Sequence, residues 1–170
     1  MKKVVVACIS LFFLFSLNAQ KADTKKFVSQ YSKQEGFTVV SLGNGAMKLL
    51  SVISKFVISS EEEAQFISNT ESIRIVSSSA NLSKEKIEAF VSDVLLFCET
   101  NEYESFIEVE EFDNSVNIFY SANNDGITGL TILNVSSEND NSVDAIFITG
   151  KFSFEDLSKI ASENKIYSGR

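Results

Sequence analysis

The sequence predicts one α+β domain, an antiparallel sheet packed by amphipathic helices. Three observations carry that expectation. The chain has 170 residues, 44% of them apolar and 22% charged, which suits a single core. Apolar residues recur at helical spacing up to about Cys98, and from Tyr103 onward the period changes to two with turn residues at short intervals. The last two predicted strands are apolar on both faces, as strands are when a sheet is covered on two sides.

The first residues lie outside the predicted domain. Lys2 and Lys3 precede an apolar run from Val4 to Leu17, and Ala19 offers a small residue for cleavage, the layout of a secretory signal peptide over residues 1–19. The run is shorter than the roughly 20 residues a bilayer-spanning helix needs, so no stable membrane span is expected after cleavage. Val5-Val6-Ala7-Cys8 has the form of a lipoprotein box. Cys8 sits too close to the basic end for that, and apolar residues continue past it. The domain then occupies residues 21–165, and residues 166–170 form a tail.

Asp23 or Thr24 can cap a short helix that presents Phe27, Val28 and Tyr31 on one face, and Gly36 can end it in a left-handed conformation. Phe37 to Leu42 reads as a strand. Gly43 and Gly45 mark a loop, and the next helix, through about Ser54, is expected to turn Leu49, Leu50 and Ile53 inward. Ser60 and Glu63 make a capping-box pattern, and the acids Glu61 to Glu63 suit the positive end of a helix better than a metal. Ile73 to Val76 is a short strand. Ser83 opens the most regular amphipathic helix, with Ile87, Phe90, Val91, Val94 and Cys98 in one stripe, which places Cys98 in the core.

A meander follows, with strands at 104–110, 115–121, 126–135 and 142–150. Asn124-Asp125-Gly126 is expected to supply the left-handed conformations of a tight hairpin. Leu133, Val135, Val143, Ala145 and Phe147 share one face, and Leu130, Ile132, Ile146 and Ile148 the other. Either helices cover both, or part of this surface meets a second molecule. A closing helix starts at Ser153, with Asp156 in the capping-box position and Phe152 stapled on Leu157.

Composition narrows the chemistry. The chain has no His, Trp or Pro and two Cys, which excludes His-based triads, His metal sites, paired-Cys redox motifs and disulfide frameworks in the mature domain. The net charge is −8, and a leader carrying Lys2 and Lys3 leaves a still more acidic remainder. No base stands between Lys86 and Lys151, so nucleic acid is not an expected partner and anionic membranes are disfavoured. The densest acids are Glu99, Glu102, Glu104, Glu108, Glu110, Glu111 and Asp113. On a regular strand Glu104, Glu108 and Glu110 share a face, with carboxylates two positions apart about 7 Å from each other, a separation that inverting glycosidases use. A solvated strand protecting a sheet edge is the plainer reading. Calcium loops fail on spacing: with Asn123, Asp125 and Gly126 at positions three, five and six, Ser121 and Ile132 would stand where an EF-hand requires acids. Glu138 to Asp144 offers only a loose group of oxygens. No catalytic, cofactor-binding or metal residue is assigned, and no cofactor is implied.

The strings FVSQYSKQEGFTVVSLGNGAMKLL, SIRIVSSS, YESFIEVEEFDNSVNIFY, GITGLTILNV and FITGKFSFEDLSKIA together resemble the domain-of-unknown-function family 4252. The resemblance spans nearly the whole mature chain and implies a small exported bacterial protein. It brings no catalytic residues, and it departs from the commoner family pattern at Thr128-Gly129, where an acid is expected. The expected function is a non-enzymatic periplasmic or cell-envelope module that binds another envelope protein, or itself, through apolar sheet surface, within an envelope-sensing system. The alternatives are a hydrolase using Glu108 and Glu110, and a carrier holding a small apolar ligand in an enclosed cavity.

Overall fold

A computed structural model describes residues 23–57, 61–80, 82–137 and 141–163. The predicted leader, Cys8, Ser60, residues 138–140 of the Glu138–Asp144 segment and the tail lie outside the described residues. The elements in order are α1 (Thr24–Ser29), a 3₁₀ turn (Tyr31–Lys33), β1 (Phe37–Leu42), α2 (Asn44–Val57), α3 (Glu61–Asn69), β2 (Thr70–Ser78), α4 (Lys84–Thr100), β3 (Glu104–Glu110), β4 (Asn114–Asn123), β5 (Gly126–Ser136), β6 (Ser142–Phe152) and α5 (Phe154–Glu163). This is the α+β class expected.

The six strands form one sheet in the order β1-β2-β6-β5-β4-β3, with every neighbouring pair antiparallel. The meander from β3 to β6 builds most of it, and β1 and β2 extend it beyond β6. Strands are longer than their apolar segments where polar residues still have ladder partners: β2 runs from Thr70 because Thr70 and Ser72 pair with Gly150 and Thr149 of β6.

Alternation splits the sheet into two apolar faces, each covered in part. On one, Val76, Leu133, Val143, Ala145 and Phe147 pack with Ile87, Phe90, Val94, Phe97 and Cys98 of α4 and with Val28 and Tyr31. On the other, Ile127, Leu130, Ile148 and Phe152 pack with Leu157 of α5 and Phe66 of α3. The expected stapling of Phe152 on Leu157 is therefore part of the second cluster. Its helix is fixed by a reciprocal capping box: Ser153 N donates to Asp156 Oδ2 at 2.9 Å, and Asp156 N to Ser153 Oγ at 3.0 Å.

Four local expectations are corrected. The first helix stops at Ser29 and the 3₁₀ turn follows, so Gly36, at φ +90°, forms the turn into β1 rather than capping α1. Gly45 lies inside the first turn of α2, which starts at Asn44. In α2, Met47 is the buried residue, while Leu49 and Leu50 are 62% and 39% exposed; Ile53's side chain lies outside the described set. In the β4–β5 hairpin only Gly126, at φ +124°, takes a left-handed conformation. Asn123 Oδ1 instead accepts from Asp125 N at 2.8 Å and tightens the turn.

Candidate functional site

The acidic strand β3 keeps Glu108 and Glu110 on one face but does not bring Glu104 to them. Its pairing with β4 shifts by one residue between Ser105 and Ile107, a bulge that exchanges the faces on either side of it. Glu104 stands opposite Tyr120, whereas Glu108 and Glu110 stand opposite Asn117 and Ser115 on the other face. Period-two counting, which put all three together, cannot register an extra residue. Tyr120 Oη donates to Glu104 Oε2, and that bond raises the tyrosine above its ordinary value. Glu108 and Glu110 are exposed.

A polar cleft of about 320 Å³ opens at the end of the sheet where α4 hands over to β3, lined by Asp23, Thr24, Asn101, Tyr103, Ser121 and Thr128 beside Phe97. Its groups largely satisfy one another or the backbone. Asn101 Nδ2 donates to Phe97 O at 2.7 Å, Asp23 Oδ1 accepts from Lys25 N at 2.8 Å, and the Ser121 and Thr128 hydroxyls share a bond at 3.2 Å. Gly129 has to be small here, because a Cβ would lie 2.5 Å from the Tyr103 hydroxyl.

Beneath the cleft, Cys98 is 3% exposed, and burial pushes its thiol up to about 11 from 9.0. Burial raises Tyr103 as well. Neither is an activated group at neutral pH. Thr131 lies fully buried near both, and its hydroxyl makes no well-formed hydrogen bond. The expectation of a core position for Cys98 is met.

Two further clefts open to solvent. One of about 390 Å³ lies between α4 and the β4–β5 strands, with Ile87, Val91 and Val135 below and Lys84 and Glu88 at its rim. The other, about 560 Å³, runs along Gly36, Phe37, Leu82 and Lys86. Glu108 and Glu110 line none of these three clefts.

Among the described residues, a group of exposed aliphatic side chains lies at the side of the sheet opposite β3. Val40 of β1 is 44% exposed, and Leu49 and Val52 of α2 are 62% and 57% exposed. The helix that carries them packs on α3 and β2 and reaches β1. Leu95 and Leu96 are also exposed, but they sit on α4 among Glu88, Asp93 and Glu99. By contrast the segment from Gly36 to Ser60 contains no Asp or Glu at all, in a chain whose net charge is −8; its charged residues are Lys48 and Lys55. Sequence reading missed this face because it assigned Leu49 and Leu50 to the core.

Among the described residues, no three Asp, Glu or Cys side chains are grouped as metal ligands would be, and no helix is long and apolar enough to cross a membrane. A family model described as Domain of unknown function (DUF4252) matches residues 31–160. No curated protein and no solved structure matches the chain.

Proposed function

The chain belongs to the family described as Domain of unknown function (DUF4252), and from its surface chemistry we propose that it is an exported, non-enzymatic binding module of the cell envelope. It works by docking through the face of β1 and α2, whose own residues carry no carboxylate, as one component of an envelope-sensing system. The observation that carries this reading is the exposure of Val40, Leu49, Leu50 and Val52 on a segment without a single carboxylate. Fully burying a large aliphatic side chain is worth roughly 1.5–3 kcal/mol, so these partly exposed ones leave a share of that to be gained on contact. Export is supported by the basic-then-apolar N-terminal pattern.

The hydrolase reading names Glu108 and Glu110, which share a face of β3 but stand exposed and line none of the clefts described above. The carrier reading needs an enclosed apolar chamber, and the three clefts named above are open to solvent.

A photo-crosslinking amino acid placed at Leu49 or Val52 in intact cells, with Glu108 as the control position, tests the reading. Crosslinks to an envelope component are expected from α2 and not from β3. Equal labelling from both positions, or recovery of the protein from the cytosolic fraction, would sink it.

A further inference from the structure

The two edges of the sheet are built differently. On β3, Glu104, Glu108 and Glu110 line the outer strand, and the bulge at Ser105–Ile107 twists it, two devices that stop an edge from pairing with another chain. The β1 edge has neither. Its residues, Phe37, Thr38, Val39, Val40, Ser41 and Leu42, carry no charge and include no proline. Their register against β2 is unbroken over all six positions. Phe37 N donates to Gln34 O at 3.3 Å, and beyond it no strand pairs with the outer side of β1 among the described residues, which leaves N–H and C=O groups there open to pairing.

We propose that β1 pairs with β1 of a second copy, antiparallel across a two-fold axis, joining two sheets into one. This rests on the docking reading above and names its partner. Three observations select a second copy. First, an antiparallel strand pair is self-complementary about a two-fold axis, so the same edge supplies both sides of the ladder. Second, Val40, Ile75, Ile146, Ile132, Ile118 and Ile107 stand directly opposite one another from strand to strand, an aliphatic row that crosses the whole sheet and ends at Val40. None of the six is fully buried. A register that sets Val40 against Val40 of the second copy carries the row across the junction. Third, two copies of a chain with net charge −8 repel each other everywhere except where carboxylates are missing, and the Gly36–Ser60 segment is such a place.

A six-residue strand pair buries less than the roughly 1,200 Å² that a stable interface needs. The missing area is available from α2, which lies at the same side of the sheet with Leu49, Leu50 and Val52 open to solvent.

The test is sedimentation velocity on the purified protein, produced with its own N-terminal segment, across a concentration series, together with amide hydrogen exchange of residues 37–42. A dimer is expected, with exchange at β1 slowing as concentration rises. Val40→Lys, and independently Thr38→Lys, place a cation on an exposed edge position and are expected to weaken association at least tenfold without changing the circular dichroism spectrum. A wild-type protein that stays monomeric at every concentration overturns the proposal, as does a folded lysine variant that dimerises like wild type. Should the protein be monomeric while residues of α2 still crosslink to a different envelope component in cells, the partner named here is wrong and the docking reading stands. If those crosslinks are absent too, both fall.

Discussion

Glu102 occupies a position that glycine usually holds. The last turn of α4 closes with Glu102 N bonded to Glu99 O at 3.1 Å and Tyr103 N to Cys98 O at 2.9 Å, the paired bonds of a Schellman motif. Glu102 is its left-handed residue, at φ +58°, and Phe97 and Tyr103 make the ring contact that accompanies such ends, with centroids 6.0 Å apart. A side chain in that conformation costs roughly 1 kcal/mol, and a carboxylate near a helix C-terminus opposes the macrodipole. Glu102→Gly is therefore expected to raise unfolding stability by about 1 kcal/mol, read as a shift in the urea midpoint at constant slope; a loss of stability would show that the glutamate makes a contact the geometry does not reveal. Nothing in the sequence announces this residue, since the usual signal for a left-handed helix end is the glycine itself. Cys98 was legible for the opposite reason: five residues at helical spacing define one stripe, and only a core can lie beneath it.

At the scale of elements, legibility followed how decisively a pattern excludes its alternatives. The strands β1 and β3 to β6 alternate, and sequence and structure agree on their positions to within about two residues. In α2 the periodicity is clear, since Leu49, Leu50, Val52 and Ile53 share one face opposite Lys48, Ser51 and Lys55, but periodicity identifies an apolar face and not what covers it: Met47 is the buried residue, and Leu49, Leu50 and Val52 stay exposed. The β3 bulge was invisible because it inserts a residue without changing composition. The start of α5 shows the converse, a chemical signature read correctly from four residues. Its reciprocal bonds between Ser153 and Asp156 satisfy two otherwise unpaired helix donors. Ser153→Ala and Asp156→Ala should each cost about 1 kcal/mol, and the double variant should cost less than the sum, because the two bonds belong to one motif. Strict additivity in a double-mutant cycle would mean that the box is not cooperative.

For the molecule as a whole, three weak acids sit in or beside the face of the sheet that α4 covers: Cys98, Tyr103 and Tyr31. Burial is the leading cause of the upward shift in each, and Tyr31 is raised further by donating its proton to Asp93 Oδ2 at 2.6 Å. Their neutral forms are what the fold stabilises. The unfolded chain releases these protons first as pH rises, so the native state holds more protons and stability falls with increasing pH. For Cys98 the contribution is intact below about 9 and lost between 9.0 and about 11. A two-unit difference corresponds to about 3 kcal/mol, a large share of the roughly 5–15 kcal/mol that holds a domain of this size together. The two tyrosines extend the loss to higher pH. Urea unfolding between pH 7 and 10.5 should show stability constant at first and then falling, with the thiol unreactive toward a disulfide reagent until the chain unfolds. Cys98→Ala lowers stability at pH 7 by removing packed volume, yet it should flatten the first part of the alkaline slope. If the slope between pH 9 and 10.5 is unchanged in that variant, the thiol is not where burial holds the proton, and the packing of α4 on the sheet differs from the one described.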